Sequence, residues 1–145
     1  MRHTAAVGTS AQAADSQLGS RAANVQSSLR AVTESTSSAV VLRVGGDIDV
    51  SNERAWQCLL SQSAAQAVTL GSFVIDVRDL DFMGSRGYAA LAHEAVECRS
   101  RGVNLRLVAS QPIVAHTIAA CGLRPLLPMY TTVETALLPT ATDHR

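Results

Sequence analysis

The sequence predicts a single α/β domain in which helices pack against a mixed, mainly parallel β-sheet. Short apolar runs rich in valine and leucine alternate along the chain with longer segments whose apolar residues recur at helical spacing. Strands that alternate with helices in this way form mainly parallel sheets covered by the connecting helices. A chain of 145 residues is also long enough for one domain with a buried core.

The N-terminal residues 1–27 are predicted to form a flexible tail. They are rich in Ala, Ser, Gln and Thr and show neither strand nor helix periodicity. Such a segment buries too little apolar surface to offset the entropy lost on ordering. The folded domain is predicted to span residues 28–138, and residues 139–145 are predicted to fray.

The domain opens with a predicted antiparallel pair of strands. Residues 29–34 alternate weakly between apolar and polar side chains, and residues 39–44 form a β-branched run that ends at two glycines. A helix is predicted over 53–67, where apolar residues recur at helical spacing, with Ser51 or Asn52 as its N-cap.

A central strand and a second helix are predicted next. Residues 73–77 are almost wholly apolar, which is typical of a strand covered on both faces. An acidic turn that contains Asp79 and Asp81 is predicted to follow. The helix after this turn is predicted over 85–100, with Gly102 at its C-terminal end.

The remaining elements complete the order β-β-α-β-α-β-α-β-α. They are a strand over 103–108, a helix that opens at Gln111-Pro112 and ends at Cys121-Gly122, a strand over 126–130 and a helix over 131–138, capped by Thr131 or Thr132. Sites in such folds form where the C-termini of strands meet the N-termini of helices. The loop with Asp49 and the turn with Ser85 are both predicted to lie on that edge.

Charge and hydropathy argue against several function classes. The formal net charge is zero, so no overall field draws the chain to nucleic acid or to an anionic membrane. No apolar stretch approaches the roughly 20 residues that span a bilayer, and the N-terminus has no apolar run typical of a signal peptide. We therefore expect a cytoplasmic protein that contacts neither nucleic acid nor membrane.

The three cysteines, Cys58, Cys98 and Cys121, have neither CxxC nor metal-ligand spacing. The pattern favours reduced and mostly buried thiols. The alternative is a redox-switching pair formed by Cys98 and Cys121.

Metal and cofactor sites are not predicted. Asp76, Asp79 and Asp81 are interpreted as a solvated turn, since hard-cation sites usually draw on more ligands from separate segments. His93 and His116 lack paired ligand spacing and are expected at the surface or at its boundary. No glycine-rich phosphate-binding motif is present, so no cofactor is predicted.

Ser85 is the residue best placed for chemistry. It lies between two glycines at a predicted helix N-terminus, where backbone N–H groups lack partners and negative charge is favoured. A phosphate fits such a position, whether a ligand carries it or it is attached to Ser85 itself. The alternative is that Ser85 is a plain N-cap and that Asp49 is only a turn residue that helps to cap the first helix.

Three patterns in register resemble the STAS domain, and more narrowly the bacterial anti-sigma factor antagonists. They are Gly46-Asp-Ile-Asp49 before the first helix, the strand–turn–helix over 74–87, and Cys121-Gly-Leu123 late in the chain. The resemblance covers roughly residues 29–138, and the order of elements matches throughout.

The resemblance implies a regulatory binding protein that switches partners and is not an enzyme. In that family an unphosphorylated antagonist captures an anti-sigma factor, which is also a serine kinase, and so frees a sigma factor. The kinase phosphorylates a serine at the start of the helix after the central strand, the complex separates, and a serine phosphatase resets the cycle. The matching serine is Ser85, and the matching acidic residue is Asp49. The implied partner-binding residues are Asp47, Asp49, Met83, Gly84, Ser85, Arg86 and Gly87.

One departure from the family pattern concerns the neighbours of the target serine. The family commonly has an Asp-Ser-Ser-Gly-like tetrad, whereas this chain has Gly84-Ser85-Arg86-Gly87. The change removes a carboxylate beside the hydroxyl and introduces a cation that can pair with a phosphate.

Three other functions stand as alternatives to this one. A serine hydrolase needs a glycine two positions before its nucleophile, where this chain has Met83. A STAS module that binds a nucleotide or another regulatory protein without phosphorylation is the second, and a nucleotide site at the Ser85 helix start would rest on the helix end alone. The third is a role as one part of a larger stress-sensing assembly.

Overall fold

The structure, a computed structural model, describes residues 3–5 and 28–139 and contains one six-stranded sheet. The strands are β1 (His3–Ala5), β2 (Arg30–Ser35), β3 (Ala39–Ile48), β4 (Ser72–Met83), β5 (Asn104–Val108) and β6 (Met129–Tyr130). The helices are α1 (Glu53–Ala64), α2 (Ser85–Ser100), α3 (Pro112–Ala120) and α4 (Val133–Leu137), and a short 3₁₀ turn, Val50–Asn52, precedes α1.

The sheet is mixed and mainly parallel, which confirms the predicted fold class. The strands are arranged in the order of the chain. β1, β2 and β3 pair antiparallel, whereas β3, β4, β5 and β6 pair parallel. Each parallel step carries a helical connection, as such crossovers require.

The two faces of the sheet are covered unequally. Alternate residues of the central strands, such as Phe73 and Ile75, pack in one large core with Trp56 of α1, Leu91 of α2 and Ile118 of α3. On the opposite face, a smaller cluster joins the sheet to α4 through Val41, Val74, Val108, Val133 and Ala136. The nearly continuous burial of β4 from Phe73 to Val77 follows from this double cover.

The edge strand β1 was not predicted from the sequence. Its residues His3, Thr4 and Ala5 pair with Ser35, Glu34 and Thr33 of β2. Three residues are too short a run to show alternation, so the pattern offered no strand signal there. The rest of the predicted tails, residues 1–2, 6–27 and 140–145, lies outside the described residues.

The acidic turn predicted at Asp79 and Asp81 is wrong, because β4 continues through it to Met83. β3 likewise runs through Gly45 and Gly46, where it was predicted to end. Beyond the end of β5, β4 pairs with β3 alone across two register shifts. The carboxylates of this extension are exposed, whereas Leu80 and Met83 face the core. This placement explains how an acidic stretch remains in a strand.

The prediction that the cysteines are mostly buried is also wrong. Cys98 is buried on α2, but Cys58 and Cys121 are exposed, and all three are free thiols. Cys58 lies on the outer side of α1, and Cys121 lies just after α3. Within residues 3–5 and 28–139, no helix combines the length and apolarity needed to cross a bilayer.

Candidate functional site

The parallel pairing of β3 with β4 brings the two predicted segments together. Ile48 pairs with Met83 at the ends of these strands, and the Gly84 amide donates to the Ile48 carbonyl at 2.9 Å. Asp49 and Ser85 therefore begin the two neighbouring connections at the carboxyl edge of the sheet. We call the exposed surface around these two residues the Asp49–Ser85 edge; it also includes Val50, Phe82, Arg86 and Ile113.

The Asp49 turn is fixed by its own side chains. The Asp49 carboxylate accepts hydrogen bonds from the Ser51 amide (2.9 Å) and the Ser51 hydroxyl (2.6 Å). The Asn52 side chain accepts from the Asp49 amide and donates to the Asp47 carbonyl, both at 2.9 Å. The bonds from Ser51, first its hydroxyl and then its amide, lower the pKa of Asp49. The turn thus presents an exposed, ionised carboxylate.

Asn52 and Asp49 have separate capping roles before the first helix. Asn52 is the N-cap of α1, as predicted, but it makes no side-chain capping bond to that helix. Asp49 instead caps the preceding 3₁₀ turn together with Asn52. The alternative capping role of Asp49 is therefore present, and its carboxylate still lies at the surface.

Ser85 is the first residue of α2, and Gly84 is its N-cap. The interpretation of Ser85 as a plain N-cap is therefore wrong. Its side chain is exposed and makes no hydrogen bond to the residues that the structure describes. The hydroxyl lies beside unpaired helix N–H groups and is open to a partner.

Arg86 links the starts of two helices across the edge. Its guanidinium lies 3.3 Å from the Glu53 carboxylate in the first turn of α1. The Arg86 side chain is largely exposed, so this ion pair contributes little to the stability of the fold. The cation is consequently available to a charged group that arrives at Ser85.

Met83 and Gly87 lie inside the fold rather than on its surface. The Gly87 carbonyl accepts a hydrogen bond from the indole nitrogen of buried Trp56 at 3.1 Å. A Cβ added at Gly87 would lie 2.5 Å from Cγ of Met83, so only glycine lets α2 approach this closely. These two residues, predicted to bind a partner, instead pack in the core beneath the start of α2 and fix the position of Ser85.

Sequence reasoning missed an apolar rim around Ser85. Phe82 and Ile113 are 55% and 63% exposed and line one groove with Ser85, and Val50, which follows Asp49, is 78% exposed. An open groove of about 380 Å³ runs beside Ser85, with Tyr88 and Ile113 in its wall. Phe82 is an apolar residue at an outward-facing position of β4, and its place among acidic residues was the sequence feature that could have indicated this rim.

The other residues singled out in the sequence do not join this edge. The Asp76 carboxylate accepts two hydrogen bonds from the Arg78 guanidinium, at 2.9 and 2.8 Å, and one from the Arg78 amide at 3.1 Å. His93 and His116 are exposed, as predicted. Within the described ranges, no three histidine, cysteine or acidic side chains are grouped as metal ligands. Burial raises the pKa of the Cys98 thiol.

Comparisons with known proteins agree on one family. The profile of the STAS domain matches residues 30–136. A protein of Mycobacterium tuberculosis that is provisionally named an anti-anti-sigma factor is 49% identical over 111 residues, which are 77% of this chain and 75% of that protein. The anti-sigma-F factor antagonist RsfA of the same species is 42% identical over 124 residues, 86% of this chain and 97% of RsfA. The solved structure of an anti-sigma factor antagonist from Mycobacterium paratuberculosis has a TM-score of 0.67 at 26% identity, over 76% of this chain and 92% of that chain.

Proposed function

The chain belongs to the STAS domain family, and we propose that it acts as an anti-sigma factor antagonist switched by phosphorylation at Ser85. It binds an anti-sigma factor in the cytoplasm and thereby releases a sigma factor. The anti-sigma factor is also the serine kinase that modifies Ser85, and a serine phosphatase restores the binding form. The protein itself carries out no catalysis.

The observation that carries this proposal is the composition of the Asp49–Ser85 edge. An ionised carboxylate, an unbonded serine hydroxyl and exposed apolar side chains lie together at the ends of two paired strands. Binding surfaces combine apolar anchors with charged groups in this way. The hydroxyl of Ser85 makes no hydrogen bond to a histidine within the described residues, so the arrangement favours binding over hydrolysis.

Phosphorylation at this position changes the surface without unfolding the domain. The phosphate adds about −1.5 to −2 charges at a helix start, where N–H groups and the helix dipole accommodate them. The same charge lies beside Asp49 and the apolar rim. A partner surface matched to the unmodified edge then meets repulsion and desolvation, and about 1.4 kcal/mol already corresponds to a tenfold loss of affinity.

The binding test compares the wild-type chain with Ser85→Glu, Ser85→Gln and Ser38→Glu against candidate anti-sigma kinases by calorimetry. Ser38 is exposed in the β2–β3 turn at the opposite end of the sheet, so Ser38→Glu adds the same charge away from the edge. We expect Ser85→Glu alone to lose binding by tenfold or more. Equal binding by all four chains removes Ser85 as the switch, and no binding by the wild type contradicts the function.

The modification test is peptide mapping by mass spectrometry after incubation with the bound kinase and ATP. We expect one phosphate on the peptide that contains Ser85 and none on a Ser85→Ala variant. Binding without modification would keep the antagonist and remove the phosphorylation switch.

A further inference from the structure

A buried carboxylate lies in the groove between α1 and α2. Glu94 of α2 is only 8% exposed and lines an open groove of about 450 Å³. Its carboxylate makes no hydrogen bond or ion pair with another residue in 28–139. Burial raises the pKa of Glu94, and the nearby charges of His93 and Arg101 only partly counter this effect.

Side chains that cross between the two helices bound this groove. Near its upper end Arg86 pairs with Glu53 at 3.3 Å, and beyond its lower end Arg101 donates to the Ala64 carbonyl at 2.7 Å. Between them, the small side chains of Ala89 and Ala90 leave space between α1 and α2. Neither guanidinium forms an ion pair with Glu94, although the charge of Arg101 still acts on the carboxylate from a distance.

A carboxylate that is nine-tenths buried and has no ion-pair partner destabilises a fold, and a cation brought into contact with it removes much of that cost. The groove also continues the Asp49–Ser85 edge, because Arg86 lines the groove and is the residue next to Ser85. A macromolecule bound to the Asp49–Ser85 edge can therefore contact the groove as part of one continuous surface.

We propose that this groove receives a guanidinium or ammonium side chain of the anti-sigma partner, with the Glu94 carboxylate as its acceptor. The inference rests on the proposed function, since it requires that partner on the Asp49–Ser85 edge. It adds a second anchor about two and a half helix turns from the switch, because Glu94 follows Ser85 by nine residues on α2. The partner must then present a long basic side chain that enters between α1 and α2.

The test uses the full chain and compares Glu94→Gln with Glu97→Gln in binding to an anti-sigma kinase that the wild type binds. Glu97 is exposed on the same helix, so both variants remove one carboxylate from α2. We expect Glu94→Gln to weaken binding by about tenfold or more, with a reduced dependence on salt, and Glu97→Gln to bind like the wild type.

Thermal unfolding separates a binding role from a structural one. Removal of a buried, unpaired charge leaves the Tm of Glu94→Gln unchanged or raises it, so lost binding together with an undiminished Tm supports the inference. Wild-type affinity in Glu94→Gln overturns it while the proposed function stands. A lowered Tm together with lost binding assigns Glu94 a structural role and also overturns it. If the wild type binds no anti-sigma kinase, the proposed function and this inference fail together.

Discussion

The amide of Gly84 donates to the carbonyl of Ile48 at 2.9 Å, and this bond joins the last residue of β3 to the N-cap of α2. The spacing of Asp49 and Ser85 is thus a property of the parallel strand pair, not of two loops that move independently. A surface held in this way can change its charge without changing its shape. This rigidity is why a switch at Ser85 is expected to act through electrostatics.

Substitution of Gly87 by alanine is expected to lower stability more than the same change at Gly84. A Cβ at Gly87 meets Met83 Cγ at 2.5 Å and Ile48 Cγ2 at 3.1 Å, whereas at Gly84 the nearest atom, on Phe82, lies at 3.6 Å. After the gain in helix propensity, the cost at Gly87 is about 1–2 kcal/mol. Urea unfolding measures both variants. Equal urea midpoints for the two variants would show that Met83 and Ile48 can move to accommodate a methyl group at Gly87.

The sequence was sufficient to place Ser85 at the junction of a strand and a helix in the candidate site. Ser85 follows an apolar strand and begins a helix, and both elements are signalled locally in the sequence. The fold class followed in the same way from alternating strands and helices. The N-cap at Gly84 instead of Ser85 is a shift of one residue, which local patterns do not resolve.

The features that were missed depend on contacts distant in sequence. The acidic end of β4 stays paired with β3 because β4 itself bulges, between Asp76 and Asp79 and again between Leu80 and Phe82. Gln111 supports the same region, since its amide donates to the carbonyls of Val77 and Leu80, both at 2.9 Å. The exposed rim of Phe82 and Ile113 joins residues from β4 and α3, and only the tertiary fold brings them together.

The stability of the Asp49 turn is expected to decline in acid. Hydrogen bonds from Ser51 lower the folded-state pKa of Asp49 below its ordinary value of about 4. The contribution of this carboxylate is therefore complete above about pH 4 and is lost as the pH falls through the lower folded pKa. Carboxyl NMR titration measures this value directly. Ser51→Ala should return the pKa toward its ordinary value, and an unchanged titration in that variant would show that Ser51 does not cause the shift.

Two of the three thiols are expected to react in the native protein. Cys58 and Cys121 are exposed, whereas Cys98 is buried and its pKa is raised, first by burial and then by the Glu94 carboxylate. A chromogenic disulfide reagent should therefore detect two thiols rapidly and the third only in urea. Cys58→Ser should leave one rapid thiol. Formation of a Cys98–Cys121 disulfide in the native protein would instead favour the redox alternative.

Substitution of Arg106 by methionine is expected to loosen α4 from the sheet. Its buried guanidinium donates to the carbonyls of Ala136 (2.7 Å) and Leu138 (3.2 Å) and lies 5.9 Å from the centre of the Tyr130 ring. Loss of these charge-assisted bonds costs about 2–3 kcal/mol. The matched control is Arg43→Met. Arg43 and Arg106 line one open groove beside α4, but the Arg43 side chain is 42% exposed and its ion pair with Glu34 is 4.0 Å long. That control should change stability by less than about 0.5 kcal/mol. Urea unfolding and amide exchange across α4 measure the difference, and equal effects of the two substitutions would show that α4 is held by its apolar contacts alone.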